Sequence, residues 1–406
     1  MESIMVKNRQ LFDKAVLISL CAMIFTLPFS KSMVEIFFII ALTCWVIKHF
    51  IIYYSSAHRV SLLKALAPVY TELNLPMALF VLIGFLSTIG SVSLPLSLEG
   101  FFFKLFEWIM IYFIVAESIS TKEKVNLILK VIIASALLVG IDGIFQLVTG
   151  ADFLRNYPVQ GYRVIACFDT PNGFAAWLII MLPLAFSLAY FSKSSKKALL
   201  WILVCILIFG FVLTYSRSAL IAVLLSFVLL GLFRSKRLFV ISIILVLILP
   251  FIAPHYIKER MKASMIDDVR VTLWQEALNI TADYPILGSG LNTYASIAPK
   301  YKLTEETGCY PHNSYLQMAA ESGLLGLGAF LWILIALFRT SLINVKRIND
   351  KFYEAVLVGL LAGLFGFLVH SFFDVNIYTL QLGNLMWFIM GLIVAVQRVA
   401  LQKNLP

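Results

Sequence analysis

The chain has 406 residues, of which 61% are hydrophobic and 13% charged, and a formal net charge of +10; its mean hydropathy is +0.93. A water-soluble domain carries about a quarter charged residues, so this composition excludes one. It fits an all-α integral membrane protein built from repeated apolar runs of about 20 residues.

Spans are expected at about 14–30, 32–53, 74–93, 98–118, 124–149, 173–192, 197–214, 217–233, 237–253, 316–340, 352–373 and 378–399. The first follows Lys7, Arg9 and Lys14 and resembles a signal peptide, but no small-residue cleavage site closes it, so it reads as a retained helix. The organisation is therefore about twelve transmembrane helices. Helices 1–9 occupy 1–253, a large loop 254–315, and helices 10–12 occupy 316–406. Lys7/Arg9/Lys14, Lys48/Arg59/Lys64, Lys122/Lys124, Lys193/Lys196/Lys197, Arg234/Lys236/Arg237, Arg339/Lys346/Arg347/Lys351 and Arg398/Lys403 fall on alternate sides of successive spans. By the positive-inside rule these clusters, and both termini, are cytoplasmic, which places the large loop on the outer side. No nucleic-acid partner is expected.

Ala198 to Phe233 is apolar apart from Tyr215-Ser216-Arg217-Ser218. A single helix of that length would be about 54 Å long against a bilayer core of about 30 Å, so the chain must fold back at Arg217, although no Gly or Pro marks the turn. Arginines on the outer side oppose the usual bias. Arg155 and Arg163 follow the fifth span and either meet lipid headgroups or pair with Asp152 and Asp169. Arg217, enclosed by apolar sequence, needs an anion, and Arg270 lies in the large loop. Guanidinium groups bind phosphate bidentately, so this set suggests a phosphorylated lipid.

Within the large loop, His255 to Leu278 is amphipathic and charged and reads as an interfacial helix against headgroups. Pro285-Ile286-Leu287-Gly288-Ser289-Gly290 breaks it into a turn-rich segment that runs to Pro311. Asp267-Asp268 are adjacent and project to different faces, which suits solvated charges better than metal ligands. His312 then places an imidazole, which titrates near neutrality, at the end of the loop just before a span.

His370 and Asp374, four apart, are expected on one helix face, where they either polarise each other or simply pack. Asp142 and Gln146 suggest an interhelical hydrogen bond more than a proton path. Cys167 and Cys309 both face the oxidising side, and their pairing is a minor alternative to two free thiols.

Four motifs resemble those of the bacterial O-antigen ligase and O-antigen polymerase superfamily, GT-C-like membrane glycosyltransferases. They are Thr214-Tyr215-Ser216-Arg217-Ser218; Arg270 with Trp274 and Pro285-Ile286-Leu287-Gly288-Ser289-Gly290; His312-Asn313 followed by Gly323-Leu324-Leu325-Gly326; and Phe168-Asp169-Thr170-Pro171-Asn172-Gly173. The His312 motif favours the ligase branch.

The resemblance implies a bacterial inner-membrane enzyme that takes a glycan from undecaprenyl pyrophosphate at the periplasmic face without cofactor or metal. A ligase moves it to lipid A-core, a polymerase to another lipid-linked repeat, and a protein O-oligosaccharyltransferase to a protein. Arg217 and Arg270 would neutralise the departing pyrophosphate and His312 would act as base. Arg163, Asn313, Tyr215, His370 and Asp374 would support them. With no carboxylate placed as nucleophile, direct inverting displacement is expected. A lipid-linked sugar transporter is the reading outside the enzyme class. It would need broken helices and a midplane site, whereas the polar residues here gather at one face.

Overall fold

The computed structural model describes residues 2–55, 61, 64, 67–192, 197–252, 268–304 and 309–402. Arg59, Lys193, Lys196, Lys403 and the loop residues 255–267, including Lys258, Glu259, Arg260, Lys262 and Asp267, lie outside these. The first part of the expected interfacial helix and half of the Asp267-Asp268 pair are therefore not described.

In chain order the main helices are α1 Glu2–Thr26, α2 Lys31–Ser55, α3 Asn74–Ile89, α4 Leu94–Gly100, α5 Glu107–Ser118, α6 Lys122–Thr149, α7 Pro171–Phe191, α8 Lys197–Leu213, α9 Arg217–Arg234 and α10 Lys236–Ile252. They continue as α11 Asp268–Asp283, α12 Tyr294–Ile297, α13 Ser314–Val345, α14 Lys351–His370 and α15 Leu380–Gln402. Among the described residues there is no strand, only isolated bridges such as Gln160 to Arg163. Every stretch expected to span the membrane falls on a helix. Six of them, α2, α6, α7, α13, α14 and α15, are long and apolar enough to cross a bilayer by length and composition, and α3, α8 and α9 are shorter apolar helices. The stretch at 98–118 is a composite, α4 running through a π-helical segment Phe101–Phe106 into α5.

Burial separates the centre from the periphery. In α7 and α15, 83% of the most apolar window is buried, and in α14 78%, against 28% in α2. Trp177, Phe174, Tyr112 and Trp387 are fully buried within one continuous core. Apolar side chains remain exposed on the outside, such as Ile18 at 67%, Leu199 at 65% and Ile335 at 65%. A skin of this kind is stable against lipid tails and would be unfavourable in water.

The fold-back after α8 is present. Phe186 of α7 meets Trp201 near the start of α8 and Phe227 toward the end of α9, so α8 and α9 run in opposite directions along α7. Tyr215, at φ +48°, makes the turn. A left-handed backbone reverses the chain without glycine, at a cost of about 1–2 kcal/mol.

The loop between α6 and α7 is pinned by buried side chains. Gln146 accepts from the backbone of Ile165 and Ala166, each at 2.8 Å, and donates to Tyr157 O at 2.8 Å. Asp142 accepts from Phe153 N at 3.0 Å. Both residues thus brace the following loop; the expected interhelical bond is not what they make. Asp152 likewise accepts from the backbone of Leu154, Arg155 and Tyr157.

The described part of the amphipathic helix, α11, packs one of its faces on protein. Its Ala277 and Ile280 pack with Tyr294, Ile297, Ala298 and Ala320 into a small separate core, so protein covers that face. Val269, Val271 and Leu278 remain exposed on it.

Candidate functional site

Three helix starts and one helix end meet at one end of the bundle. α7 starts where the Thr170 hydroxyl accepts from Gly173 N at 3.0 Å, and Pro171 in the first turn has no N–H to leave unsatisfied. α13 starts where the Asn313 side chain accepts from Tyr315 N and Leu316 N at 3.0 and 3.1 Å. α9 starts at Ser216, whose hydroxyl is turned aside and donates to Asn172 Oδ1 at 3.0 Å.

Asn172 is the hub of this end. Its Oδ1 also accepts from Arg163 Nη2 at 3.0 Å, and its Nδ2 donates to Asp374 Oδ2 at 3.0 Å. Asp374 Oδ1 in turn lies 3.2 Å from His312 Nδ1 and accepts from Val375 N at 2.8 Å. Ser314 locks the same turn, donating from Oγ to Asp374 O at 2.9 Å and from N to Ser371 O at 2.9 Å. The chain of contacts from Arg163 to His312 joins residues up to 202 positions apart, and no local sequence pattern carries it. Asn172 stands within the Pro171-Asn172 motif, but nothing in the sequence assigns it a role.

Asp374 is 16% exposed and His312 47%. Burial pushes the Asp374 carboxyl up, but the His312 hydrogen bond and the neighbouring imidazoles outweigh it and hold the group at about 2, below its ordinary 3.8. An ionised Asp374 can only accept, so Nδ1 of His312 is the donor in this contact. His312 sits at φ +46°, like Tyr215 at +48°, and strained non-glycine backbone of this kind concentrates at functional sites.

His370 and Asp374 do not share a helix face. α14 ends at His370, and Asp374 lies in the turn beyond it. His370 is fully buried, and its Nδ1 contacts Asn376 Nδ2 at 2.9 Å, while its Nε2 has no hydrogen-bond partner among the described residues. Asp374 hydrogen-bonds His312 instead, and His370 acts on it only through charge. Asn313 spends its carbonyl on the helix cap and is 2% exposed. Tyr215 stacks edge-on against Tyr162, ring centroids 5.4 Å apart.

The arginines divide into two kinds. Arg163 braces the junction through Thr214 O, at 2.7 Å, as well as Asn172. Arg155 binds Phe29 O and lies 3.6 Å from Asp169, whereas Asp152 serves the backbone. Arg217 opens α9, one residue from the Ser216 contact with Asn172, and is half-buried. Arg270 is half-buried on α11, within electrostatic range of His370. Cys167 is buried and Cys309 exposed, both as free thiols, so the alternative of a disulfide between them does not hold.

Two of the motifs dock on each other. α13 is broken at Gly323, whose φ +69° and ψ −179° are non-helical. Into the break fits Pro285 to Gly290: Leu324 N donates to Pro285 O at 2.8 Å, Ser289 N to Ala320 O at 2.8 Å and Gly290 N to Glu321 O at 3.0 Å. Only glycine permits this approach, because a Cβ at Gly323 would lie 2.1 Å from Ile286 O and one at Gly288 2.3 Å from Glu321 C. The buried Glu321 completes the joint, accepting from Asn292 N at 3.0 Å, Tyr294 N at 3.2 Å and Gln317 Nε2 at 3.1 Å. Neither the break nor the role of Glu321 is visible in the sequence, where both lie inside an apolar run.

Apolar helices with an exposed apolar skin, joined at one end by a polar cluster of arginine, histidine, asparagine and aspartate, define a multi-pass membrane protein. Residues 201–331 match the family model described as O-antigen ligase, which places this part of the chain in the O-antigen ligase and polymerase superfamily. The matched stretch holds Tyr215, Arg217, Arg270, His312, Glu321 and Gly323, while Asn172 and Asp374 lie outside it. Comparison with curated proteins finds no match.

Proposed function

We propose that the protein is a glycosyltransferase of the bacterial inner membrane that moves a glycan from undecaprenyl pyrophosphate to lipid A-core at the periplasmic face, as an O-antigen ligase. The observation that carries this reading is the His312–Asp374 pair, 3.2 Å apart, beside the helix start that bears Arg217. Asp374 orients the imidazole, and Nε2 accepts the proton of the acceptor hydroxyl as its oxygen attacks the anomeric carbon. The bond from that carbon to the pyrophosphate oxygen breaks, its electron pair leaves with the pyrophosphate, and Arg217 and Arg270 neutralise the charge that develops. Direct attack inverts the anomeric configuration. No metal enters these steps.

Arg163, Asn172 and Asn313 hold the junction in shape. Tyr215 presents its half-buried ring beside Arg217, and His370 supports the turn that carries Asp374. The same residues would serve a polymerase, whose acceptor is another lipid-linked repeat.

Reconstitution with purified lipid-linked glycan and each acceptor decides between them. A single product on lipid A-core supports the ligase, and a ladder on the lipid carrier supports the polymerase. His312→Ala should slow transfer by roughly 10²–10⁴-fold with donor binding kept, whereas Arg217→Lys keeps the charge, loses the fork and weakens donor binding. An alanine variant of His312 that binds donor poorly but turns over bound donor at the normal rate would remove the base assignment. Orientation has its own probe: exposed Cys309 should react with an impermeant thiol reagent from the periplasm, and a cysteine at Asn349 should not.

A further inference from the structure

At the other end of the bundle lies a cleft of about 720 Å³ that the chemistry above does not use. α13 leads to it from the site. Beyond its break at Gly323, α13 runs from Leu324 to Arg339, 15 residues or about 22 Å at 1.5 Å per residue. α15 agrees, starting at Leu380 beside the site turn and reaching the cleft at Arg398.

The walls differ in chemistry along the bilayer normal. Trp332 and Ala336 line it up to two turns before Arg339 on α13, nearer the middle of the bundle, and Leu75 lines it from the start of α3, with Trp332 44% and Leu75 62% exposed. Farther out the lining carries Arg339, Arg347 and Arg398. The Arg398 guanidinium is already oriented, because its Nη1 donates to Ala116 O at 2.7 Å. Among the described residues the lining holds one acidic side chain, Glu72, against these three arginines. A neutral polar floor is made by Asn344, which donates to Gln397 at 2.7 Å.

An apolar wall at acyl-chain depth, an indole at the boundary and three guanidinium groups at headgroup depth complement one ligand class. We propose that this cleft binds an anionic glycerophospholipid, its phosphate among Arg339, Arg347 and Arg398 and its acyl chain along Trp332 and Ala336. The excess of positive charge selects an anionic headgroup over a zwitterionic one, and the indole fits the interfacial level that tryptophan prefers. Free phosphate would leave the apolar wall uncovered. The site is separate from the transfer chemistry and does not depend on that assignment.

The test uses the full chain in nanodiscs of phosphatidylcholine, with phosphatidylglycerol titrated in and retained lipid counted by native mass spectrometry. The wild type should retain phosphatidylglycerol selectively. Arg339→Gln combined with Arg347→Gln should weaken retention by roughly fivefold per arginine, about 25-fold for the pair. Ala336→Phe fills the cleft without touching a charge, and it should abolish selective retention while Arg217→Lys leaves it unchanged. Equal retention of phosphatidylcholine by the wild type, undiminished retention in the Ala336→Phe protein, or displacement of the lipid by inorganic phosphate alone would each overturn the proposal. Ala336→Phe keeps the test decisive if the double arginine variant does not fold.

Discussion

Two segments reach the candidate site, and they are held mainly by different means. The segment between α6 and α7, which brings Arg163, is fastened by a few buried side chains, Gln146, Asp142 and Asp152, to its backbone. The segment between α11 and α13, which leads to His312, is fastened mainly backbone to backbone in the break at Gly323, with the Glu321 side chain added on the amides of Asn292 and Tyr294. Side-chain fastening concentrates sensitivity in the residues that supply the groups. Backbone fastening shifts it to positions where any side chain at all would intrude.

The largest effect should come from the second segment. Gly323→Ala adds a Cβ 2.1 Å from Ile286 O at a positive φ, and should destabilise the protein by about 3–5 kcal/mol. Thermal melting in detergent measures it, and a Gly323→Ala protein that melts like the wild type would break the comparison. Next comes the first segment. Gln146→Leu leaves the amides of Ile165 and Ala166 and the carbonyl of Tyr157 without their partner, a loss of about 3 kcal/mol in the same assay.

Asp374, which touches both sides through Asn172 and His312, sharpens the comparison through pH. Its carboxyl is held at about 2 instead of 3.8, so folding stabilises the ionised form. That contribution, about 2 kcal/mol, is complete above pH 4 and fades as pH falls toward 2. The stability gap between wild type and Asp374→Asn should therefore narrow on acidification through that window, and a gap independent of pH would show that the carboxylate contributes no such linkage.

The smallest effects are the helix caps. Thr170→Ala and Asn313→Ala each remove an acceptor from a helix start, at about 1 kcal/mol. A much larger loss for Asn313→Ala, measured by chemical denaturation, would show that it does more than cap.

Much of the architecture was legible because lipid imposes a simple rule: apolar runs of sufficient length must be helical. The helices fall where hydropathy put them, and the turn at Tyr215 followed from length alone. Details that depend on backbone geometry were hidden. Gly323 sits in an apolar stretch that reads as continuous helix, and the π-helical Phe101–Phe106 leaves no mark in hydropathy. Spacing misled at Asp374. Four residues after His370 implies a shared face only while the helix continues, and it stops at His370 without a glycine or proline to announce it. His312 and Arg217 stood out as isolated polar groups in apolar surroundings. Asn172 did not, because an asparagine in the first turn of a helix looks like part of an ordinary start.

The break in α13 also has a consequence for hydrogen exchange. A helix interrupted at Gly323 would leave carbonyls without donors, yet those of Ala320 and Glu321 accept from Ser289 and Gly290, while Leu324 donates back to Pro285. The helix ladder is thus completed by a segment about 35 residues earlier in sequence, and neither can open without stripping the other of partners that hydrocarbon cannot replace. Loop release and helix fraying become one cooperative opening. The amides of Ser289, Gly290 and Leu324 would then exchange as a single class, with one free energy, and His312 is tethered to that event by its place nine residues before Glu321.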